Sequence, residues 1–204
     1  MTAHALNGDT VVGVVGAGAM GTGIAQVALK HGHRVLLTDS QLSAVRNGRQ
    51  VIEKALQRDV DKGRLTAPAA TSALERLETV EPQDGLAALR ACGIVIEAIV
   101  EHLDIKQATF RALEKIVTPE CVLATNTSSL SIASIGAACE QPERVLGVHF
   151  FNPATIMPLV EVVPGLRTDG ALADAVLRFI GHWGKTAVRA ADTPGFIVNR
   201  IARP

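Results

Sequence analysis

A histidine and a glutamate twelve residues apart are the pair best suited to general-base chemistry in this sequence. His149 lies in the apolar run Val145–Phe150, and Glu161 lies in the next run, Leu159–Val163. This spacing suits two neighbouring antiparallel strands, so that the carboxylate could reach the imidazole. A neutral imidazole can take a hydroxyl proton near pH 7, and a carboxylate on its other nitrogen fixes the tautomer. Alone, the two would be a packed histidine and a solvated strand residue. Their shared context favours a catalytic pair.

A glycine-rich loop forms a second candidate site. It has the pattern G-x-G-x-x-G between the apolar run Val11–Val15 and a helical pattern that extends to about Lys30. Such loops bind dinucleotides, because the glycines allow a tight turn, a close approach to the pyrophosphate and close packing of helix on strand. The helix start also offers free N–H groups to phosphate. A loop without a ligand is the alternative, which this context disfavours. The predicted cofactor-binding positions here are Gly16, Gly18, Ala19, Met20 and Gly21.

Asp39 ends the second predicted strand, 18 residues after Gly21. A carboxylate at this distance commonly accepts hydrogen bonds from the adenosine ribose of a dinucleotide. Asp39 could also cap a helix that starts near Gln41, and the two roles are compatible. Ser40 and Gln41 supply no cation for a 2′-phosphate. The sequence therefore favours NAD over NADP.

The order of elements predicts an α/β fold. Short β-branched runs alternate with helical patterns, which indicates a Rossmann-type, doubly wound and mostly parallel sheet. The connection from Asp39 to Leu77 is too long for one crossover helix, so a helical hairpin is expected to be inserted at about 41–76. We assign 10–190 to the dinucleotide-binding domain and 191–204 to a linker and the start of a helical domain. The predicted strands are Val11–Val15, Arg34–Thr38, Leu77–Val80, Ile94–Val100, Val122–Thr125, Val145–Phe150, Leu159–Val163 and Thr186–Arg189.

Composition narrows the classes of function. The 204 residues are 48% hydrophobic and 20% charged, with a net charge of zero, which is typical of a globular protein. A net charge of zero argues against nucleic acid or a membrane surface as the main partner. No apolar stretch is long enough to span a bilayer. The three cysteines form no CxxC pair, so no metal site is expected and a reducing cytoplasm is the simplest compartment.

An ordered set of motifs resembles the 3-hydroxyacyl-CoA dehydrogenase family from about Val11 to Pro204. Variants such as HGHRVLLTD, DKGRLT and HWGK resemble bacterial members of phenylacetate catabolism that oxidise 3-hydroxyadipyl-CoA. The motifs that carry the family resemblance are VVGAGAMGTGIA, EAIVE, NTSSLSI, VLGVHFFNPATIMPLVEVV and DTPGFIVNRIARP.

The resemblance implies a role for each matching position. His149 resembles the general base, Glu161 its orienting carboxylate, and Asn152 a residue that supports the pair. A solvated lysine is the alternative at Lys106, and a surface amide at Asn199. The remaining matches are Ser128 and Asn199 for the reacting oxygens of the substrate, Asp39 for the ribose, Glu101, Lys106, Asn126 and Ser128 near the cofactor, and Lys62 for CoA.

The implied reaction is NAD-dependent oxidation of an L-3-hydroxyacyl-CoA, a step of fatty acid β-oxidation, to 3-oxoacyl-CoA. The family also implies a helical second domain that makes homodimer contacts, so that this chain alone is expected to turn over poorly.

The cations Lys54, Arg58 and Lys62 recur every four residues, with Arg64 just beyond. They indicate either a site for the CoA nucleotide or a solvated basic face. A non-catalytic NAD-binding module, such as a redox sensor or a crystallin-like protein, and another Rossmann enzyme, such as a flavoprotein, are the alternatives.

Overall fold

The computed structural model describes residues 6–202, with the backbone alone at 83–85, and is built around an eight-stranded sheet. The strand order is β3-β2-β1-β4-β5-β6-β7-β8. The first six are parallel, β7 is antiparallel to β6, and β8 is parallel to β7. The six parallel strands have the order of a doubly wound nucleotide-binding fold, which confirms the predicted α/β class. The strands are β1 Val12–Val15, β2 Val35–Thr38, β3 Leu77–Val80, β4 Ile94–Glu97, β5 Val122–Thr125, β6 Val145–Phe150, β7 Leu159–Pro164 and β8 Thr186–Arg189.

Helices cover both faces of the sheet. One core cluster joins α1, α2, α3 and α6 to the sheet, and a second joins α4 and α5 to the opposite face. Successive apolar residues of β4 point to opposite faces of the sheet and therefore belong alternately to the two clusters. A strand that is covered on both faces in this way is expected to be apolar on consecutive residues. The helices are α1 Ala19–Lys30, α2 Leu42–Asp61, α3 Ala67–Glu75, α4 Leu103–Glu114, α5 Ile132–Gly136, α6 Gly170–His182 and α7 Val198–Ala202, with 3-10 helices at Pro82–Ala91 and Pro142–Arg144.

The fourth strand is shorter than predicted. The apolar run continues to Val100, but β4 ends at Glu97. The Glu97 carboxylate accepts a hydrogen bond from the N–H of Ile99 at 2.6 Å, so the chain turns back over this side chain. A local side-chain bond to the backbone competes with the ladder and ends the strand. The prediction of a strand over Ile94–Val100 was therefore wrong beyond Glu97.

Two helices occupy the range predicted as a hairpin. α2 buries Val45, Ile52 and Leu56 on one face, and α3 begins after Thr66, whose hydroxyl accepts a hydrogen bond from Ala69 N–H. α2 also packs tightly against the glycine loop, because a Cβ at Gly48 would lie 3.1 Å from the Cβ of Ala17. The hairpin is therefore fixed to the predicted cofactor site.

Two further findings concern the part of the chain that the structure describes. No helix within residues 6–202 combines the length and the apolar character needed to cross a membrane. Over the same residues, His, Cys, Asp and Glu form no cluster of three that could hold a metal ion. The first five residues, and Arg203 and Pro204 at the end of the predicted segment 191–204, lie outside the described residues.

Candidate active site

The carboxyl ends of the parallel strands form one edge, where open α/β sheets bind ligands. A cavity of about 740 Å³ lies between Gly18 and Asp39. A second, of about 340 Å³, lies beside His149. Both are lined by Ala98 and Ile99, so together they form a trench that could hold an extended ligand. The smaller cavity is also lined by Met20, Glu101, Lys106, Asn126, Ser128, Phe150, Phe151, Asn152 and Asn199.

The glycine loop is shaped for a close approach of ligand. Gly16 has a φ of +108°, and a Cβ there would lie 2.5 Å from the carbonyl oxygen of Ala98. A Cβ at Gly21 would lie 1.7 Å from the oxygen of Gly16, so neither position admits a larger residue. Gly18 faces open space, and no side chain caps the helix that begins at Ala19. The first N–H groups of this helix are thus available to an anion, which fits a bound pyrophosphate.

Asp39 lies beside this loop. Its Oδ2 accepts a hydrogen bond from the N–H of Ala17 at 2.8 Å, and its Oδ1 accepts one from the N–H of Gln41 at 3.0 Å. The carboxylate therefore joins the glycine loop to the residue before α2 and also lines the larger cavity. This position is compatible with the predicted contact to a ribose.

His149 and Glu161 are directly opposite each other in the pairing of β6 with β7. His149 Nδ1 lies 2.7 Å from Glu161 Oε2, and the two residues are 5% and 0% exposed. Because a carboxylate only accepts hydrogen bonds, Nδ1 carries the proton, which in the neutral imidazole leaves Nε2 as the acceptor. His149 lines the smaller cavity, so the arrangement can take a proton from a ligand held there.

The segment before α7 covers this pair. Glu161 Oε1 accepts hydrogen bonds from the N–H groups of Ile197 and Val198, at 3.0 and 2.9 Å. The ring of Phe196 lies edge-on to the imidazole at a centroid distance of 5.7 Å. Phe196 has a φ of +49°, which costs about 1–3 kcal/mol for a residue other than glycine. Both oxygens of the buried carboxylate therefore have partners.

Glu101 organises the loop after β5. Its Oε1 accepts hydrogen bonds from the hydroxyl of Thr127, the N–H of Ser128 at 3.0 Å and the hydroxyl of Ser129 at 3.1 Å. Burial raises the pKa of the Glu101 carboxyl, but these hydrogen bonds and the charge of Lys106 lower it more, so the net pKa lies below its ordinary value. Glu101 is therefore an ionised anchor for the predicted substrate contact at Ser128.

Lys106 is buried and not solvated. It is 1% exposed, and its Nζ lies 2.6 Å from Oε1 of the fully buried Glu97 and 3.4 Å from Oε2 of Glu101. The hydroxyl of Thr125 donates to the other oxygen of Glu97 at 2.7 Å. This network links the ends of β4 and β5 to α4 beneath the trench.

The three predicted asparagines have different surroundings. Asn126 accepts a hydrogen bond from the N–H of Phe150 at 2.9 Å, which fixes the end of β6. Asn199 donates to the carbonyl of Ser128 at 3.3 Å, so the structure brings these two predicted substrate contacts together. Asn152 is exposed and lines the cavity, but within the described residues no hydrogen bond joins it to His149 or Glu161.

A basic groove adjoins the site. It has a volume of about 510 Å³ and lies between α1, α2 and the loop at 152–156. It meets the His149 cavity at Asn152, which lines both. Lys54 is not among the residues that line it, so the predicted row of cations does not act as one surface. The charged residues of the groove are Lys30, Arg58, Lys62, Arg64 and Asp59.

Sequence reasoning missed three residues of this site. Glu97 ends an otherwise apolar strand, and a buried carboxylate there requires a cation, which was a usable signal. Asp192 accepts hydrogen bonds from the hydroxyl of Ser131 and from two N–H groups at the start of α5, at 2.8–3.0 Å. No local pattern predicts that contact. Phe196 was interpreted only as the start of a helical pattern.

Comparisons with known proteins identify the family to which this fold and sequence are similar. Residues 11–193 match the model of the family described as 3-hydroxyacyl-CoA dehydrogenase, NAD binding domain. A 3-hydroxyadipyl-CoA dehydrogenase of Escherichia coli is 47% identical over 95% of the chain, which spans 40% of that relative. A 3-hydroxybutyryl-CoA dehydrogenase of Bradyrhizobium diazoefficiens is 42% identical over 95% of the chain, which spans 65% of it. The crystal structure of a 3-hydroxybutyryl-CoA dehydrogenase from Escherichia coli superposes with a TM-score of 0.92 at 46% identity, over 96% of this chain and 41% of that one.

Proposed function

From the premise that this chain belongs to the 3-hydroxyacyl-CoA dehydrogenase NAD-binding domain family, we propose that the protein oxidises L-3-hydroxyacyl-CoA to 3-oxoacyl-CoA. The observation that carries the proposal is the buried His149–Glu161 pair beside a trench that begins at a dinucleotide-type glycine loop. The 3-hydroxyadipyl and 3-hydroxybutyryl names of the relatives suggest short acyl groups, with or without a distal carboxylate, as substrates to test.

Bound NAD⁺ would supply the acceptor for the hydride that leaves C3 of the substrate. His149 Nε2 takes the proton of the 3-hydroxyl group, and Glu161 stabilises the imidazolium that forms. Ser128 and Asn199, which are joined by a hydrogen bond, hold the reacting oxygen. Lys106 and Glu101 keep the loop that carries Ser128 in position.

The cofactor is expected to be NAD⁺ and not NADP⁺. Asp39 would meet the 2′-phosphate of NADP⁺ with a like charge, which at about 4 Å costs roughly 1–4 kcal/mol, depending on solvent screening. The full-length protein should therefore form NADH when given NAD⁺ and an L-3-hydroxyacyl-CoA, with kcat/KM for NADP⁺ lower by about fivefold to a thousandfold.

The assay uses (S)-3-hydroxybutyryl-CoA and 3-hydroxyadipyl-CoA, with the (R)-enantiomer as the control. For the full-length protein, NADH binding without turnover of either substrate would refute the proposed reaction and favour a non-catalytic module. Equal rates with NADP⁺ would refute the role of Asp39.

We also propose that the basic groove receives the nucleotide of CoA. Arg58, Lys62 and Arg64 line it together with Lys30, against a single carboxylate, that of Asp59, which pairs with Lys30 and lies 3.9 Å from Arg64. The groove opens toward His149 at Asn152, so one ligand could extend from the cations to the base. This arrangement favours a phosphate site over the alternative of a solvated basic face.

Lys62→Ala is expected to raise KM for CoA thioesters about two- to fivefold, because an exposed charge contact contributes up to about 1 kcal/mol. KM for short pantetheine thioesters, which lack the nucleotide, should not change. Lys54→Ala is the matched control, since Lys54 is exposed on α2, the helix that ends just before Lys62, but lies outside the groove. Equal effects of Lys62→Ala on both kinds of thioester would contradict the proposal.

We further propose that the protein is cytoplasmic and forms a homodimer. Cys92, Cys121 and Cys139 are buried and unpaired, and burial raises the pKa of Cys92 to about 12 and of Cys139 to about 11. Such thiols are unreactive, which suits a reducing cytoplasm. The family resemblance further leads us to propose a homodimer, which light scattering of the purified protein can test.

A further inference from the structure

The covering segment, residues 193–198, encloses the carboxylate that holds the histidine. Glu161 is fully buried, and both of its oxygens accept hydrogen bonds. One oxygen bonds to the imidazole, and the other accepts the N–H groups of Ile197 and Val198. Three donors from two distant parts of the chain therefore converge on a single carboxylate. Because the carboxylate accepts all three hydrogen bonds, the proton between the pair is carried by His149 Nδ1.

The backbone of Phe196 makes this convergence possible. Gly195 and Phe196 both have positive φ, +74° and +49°, immediately before the two N–H groups that point to Glu161. Successive backbone turns of this kind form concave sites for anions. Glycine adopts such a conformation easily, but a side chain with a Cβ is strained there. A phenylalanine at this position must be held by contacts that offset the strain.

The contacts of the Phe196 ring are with the catalytic pair and the small cluster above it. The residue is 3% exposed and packs with Ile132, Val163 and Ala190. Its ring meets the imidazole of His149 edge-on, while Phe151 lies against the same imidazole at a centroid distance of 4.5 Å. The imidazole therefore contacts two aromatic rings, which restrict the space into which it can rotate out of line with Glu161.

We infer that Phe196 is a positioning residue for the base: its ring keeps water and other rotamers away from His149, and its backbone aims two N–H groups at Glu161. This inference rests on the proposed function, because it assigns a catalytic consequence to the geometry of the pair. Phe196 itself touches neither of the cavities along the strand edge. Its loss should therefore affect turnover and leave the binding of ligands intact.

The test compares Phe196→Ala, Phe196→Leu and Val163→Ala in the purified protein. Phe196→Ala is expected to lower kcat between about tenfold and a hundredfold, since small displacements of a catalytic group have effects of this size. The Kd for NADH and KM for the thioester should stay within about twofold, and Phe196→Leu should recover part of kcat. Val163→Ala removes packing from the same cluster without touching the imidazole, so its kcat per folded molecule should equal that of the wild type.

Proton NMR gives a readout that does not depend on turnover. The wild type should show a far-downfield, slowly exchanging N–H resonance of the His149 ring, assigned by its absence in His149→Gln. Phe196→Ala should lose it through exchange with water, and Val163→Ala should keep it.

Together, kcat and the N–H resonance distinguish a failure of this inference from a failure of the proposed function. Unchanged kcat and an unchanged resonance in Phe196→Ala would overturn the inference and leave the proposed function intact. A full-length wild type that does not reduce NAD⁺ would overturn the proposed function, and the resonance alone would then decide whether Phe196 positions the pair.

Discussion

His149→Gln is expected to lower kcat/KM for the hydroxyacyl-CoA by about 10²- to 10⁴-fold, the usual contribution of a positioned general base. Glutamine can donate a hydrogen bond to Glu161 in place of Nδ1, but it cannot accept the hydroxyl proton. Folding should be preserved, because the Glu161 carboxylate keeps the N–H groups of Ile197 and Val198 as donors. The affinity for NADH should also be preserved, since the glycine loop and Asp39 are unchanged.

Glu161→Gln serves as the companion variant. It leaves the imidazole in place but removes the charge that stabilises its protonated form, so the loss of kcat/KM should be smaller than for His149→Gln. NADH titration and thermal melting report binding and folding on the same samples. Rates near those of the wild type in His149→Gln would exclude His149 as the base.

Removal of one partner from the buried pair of Glu97 and Lys106 is expected to cause a large loss of stability. Glu97→Leu would leave the ammonium of Lys106 1% exposed, with Glu101 as its remaining anionic partner at 3.4 Å. Breaking a buried ion pair by removing one partner costs about 3–5 kcal/mol, and the more distant, partly exposed Glu101 compensates for the loss of Glu97 only in part. The free energy of unfolding, measured with urea at neutral pH, should fall by this amount.

An exposed ion pair offers a matched control. Arg34 and Glu78 have the same 2.6 Å separation as Lys106 and Glu97, but their side chains are 56% and 48% exposed. Glu78→Leu should therefore cost at most about 1 kcal/mol.

The double variant Glu97→Leu/Lys106→Met tests whether the unpaired buried charge causes the loss of stability. It replaces both charges with apolar groups and should recover most of the loss. A loss at Glu97 no larger than that at Glu78, or no recovery in the double variant, would contradict the assigned role of burial.

The sequence was informative wherever function and fold depend on neighbours along the chain. Apolar runs predicted the position of every strand of the described sheet to within a residue or so, except at the end of β4. The glycine pattern, and the pairing of His149 with Glu161, followed from spacing combined with the expected strand order. These features depend on periodicity and spacing along the chain, which can be read from a single sequence.

The features that were missed depend on contacts between distant elements. Lys106 was predicted near the cofactor, with a solvated lysine as the alternative, but its buried partner Glu97 was missed because only the structure reveals the depth of β4 in the sheet. Lys54 has the right helical spacing but does not line the groove, whose opposite wall is the loop at 152–156. Phe196 has an ordinary apolar character, and nothing local predicts its positive φ. The catalytic roles of the residues around His149 stay predictions until turnover is measured.

The pairing of His149 with Glu161 has a consequence for how the gene can change. Their contact is set by the hydrogen-bonded register of β6 and β7, in which side chains alternate between faces. Inserting one codon within either strand would turn one of the two residues to the opposite face, whereas inserting two would restore the face but not the partner. The strands should therefore tolerate substitutions but not changes in length. Natural insertions and deletions in this region are expected to accumulate in the loop between the strands, as far from Asn152 as that loop allows.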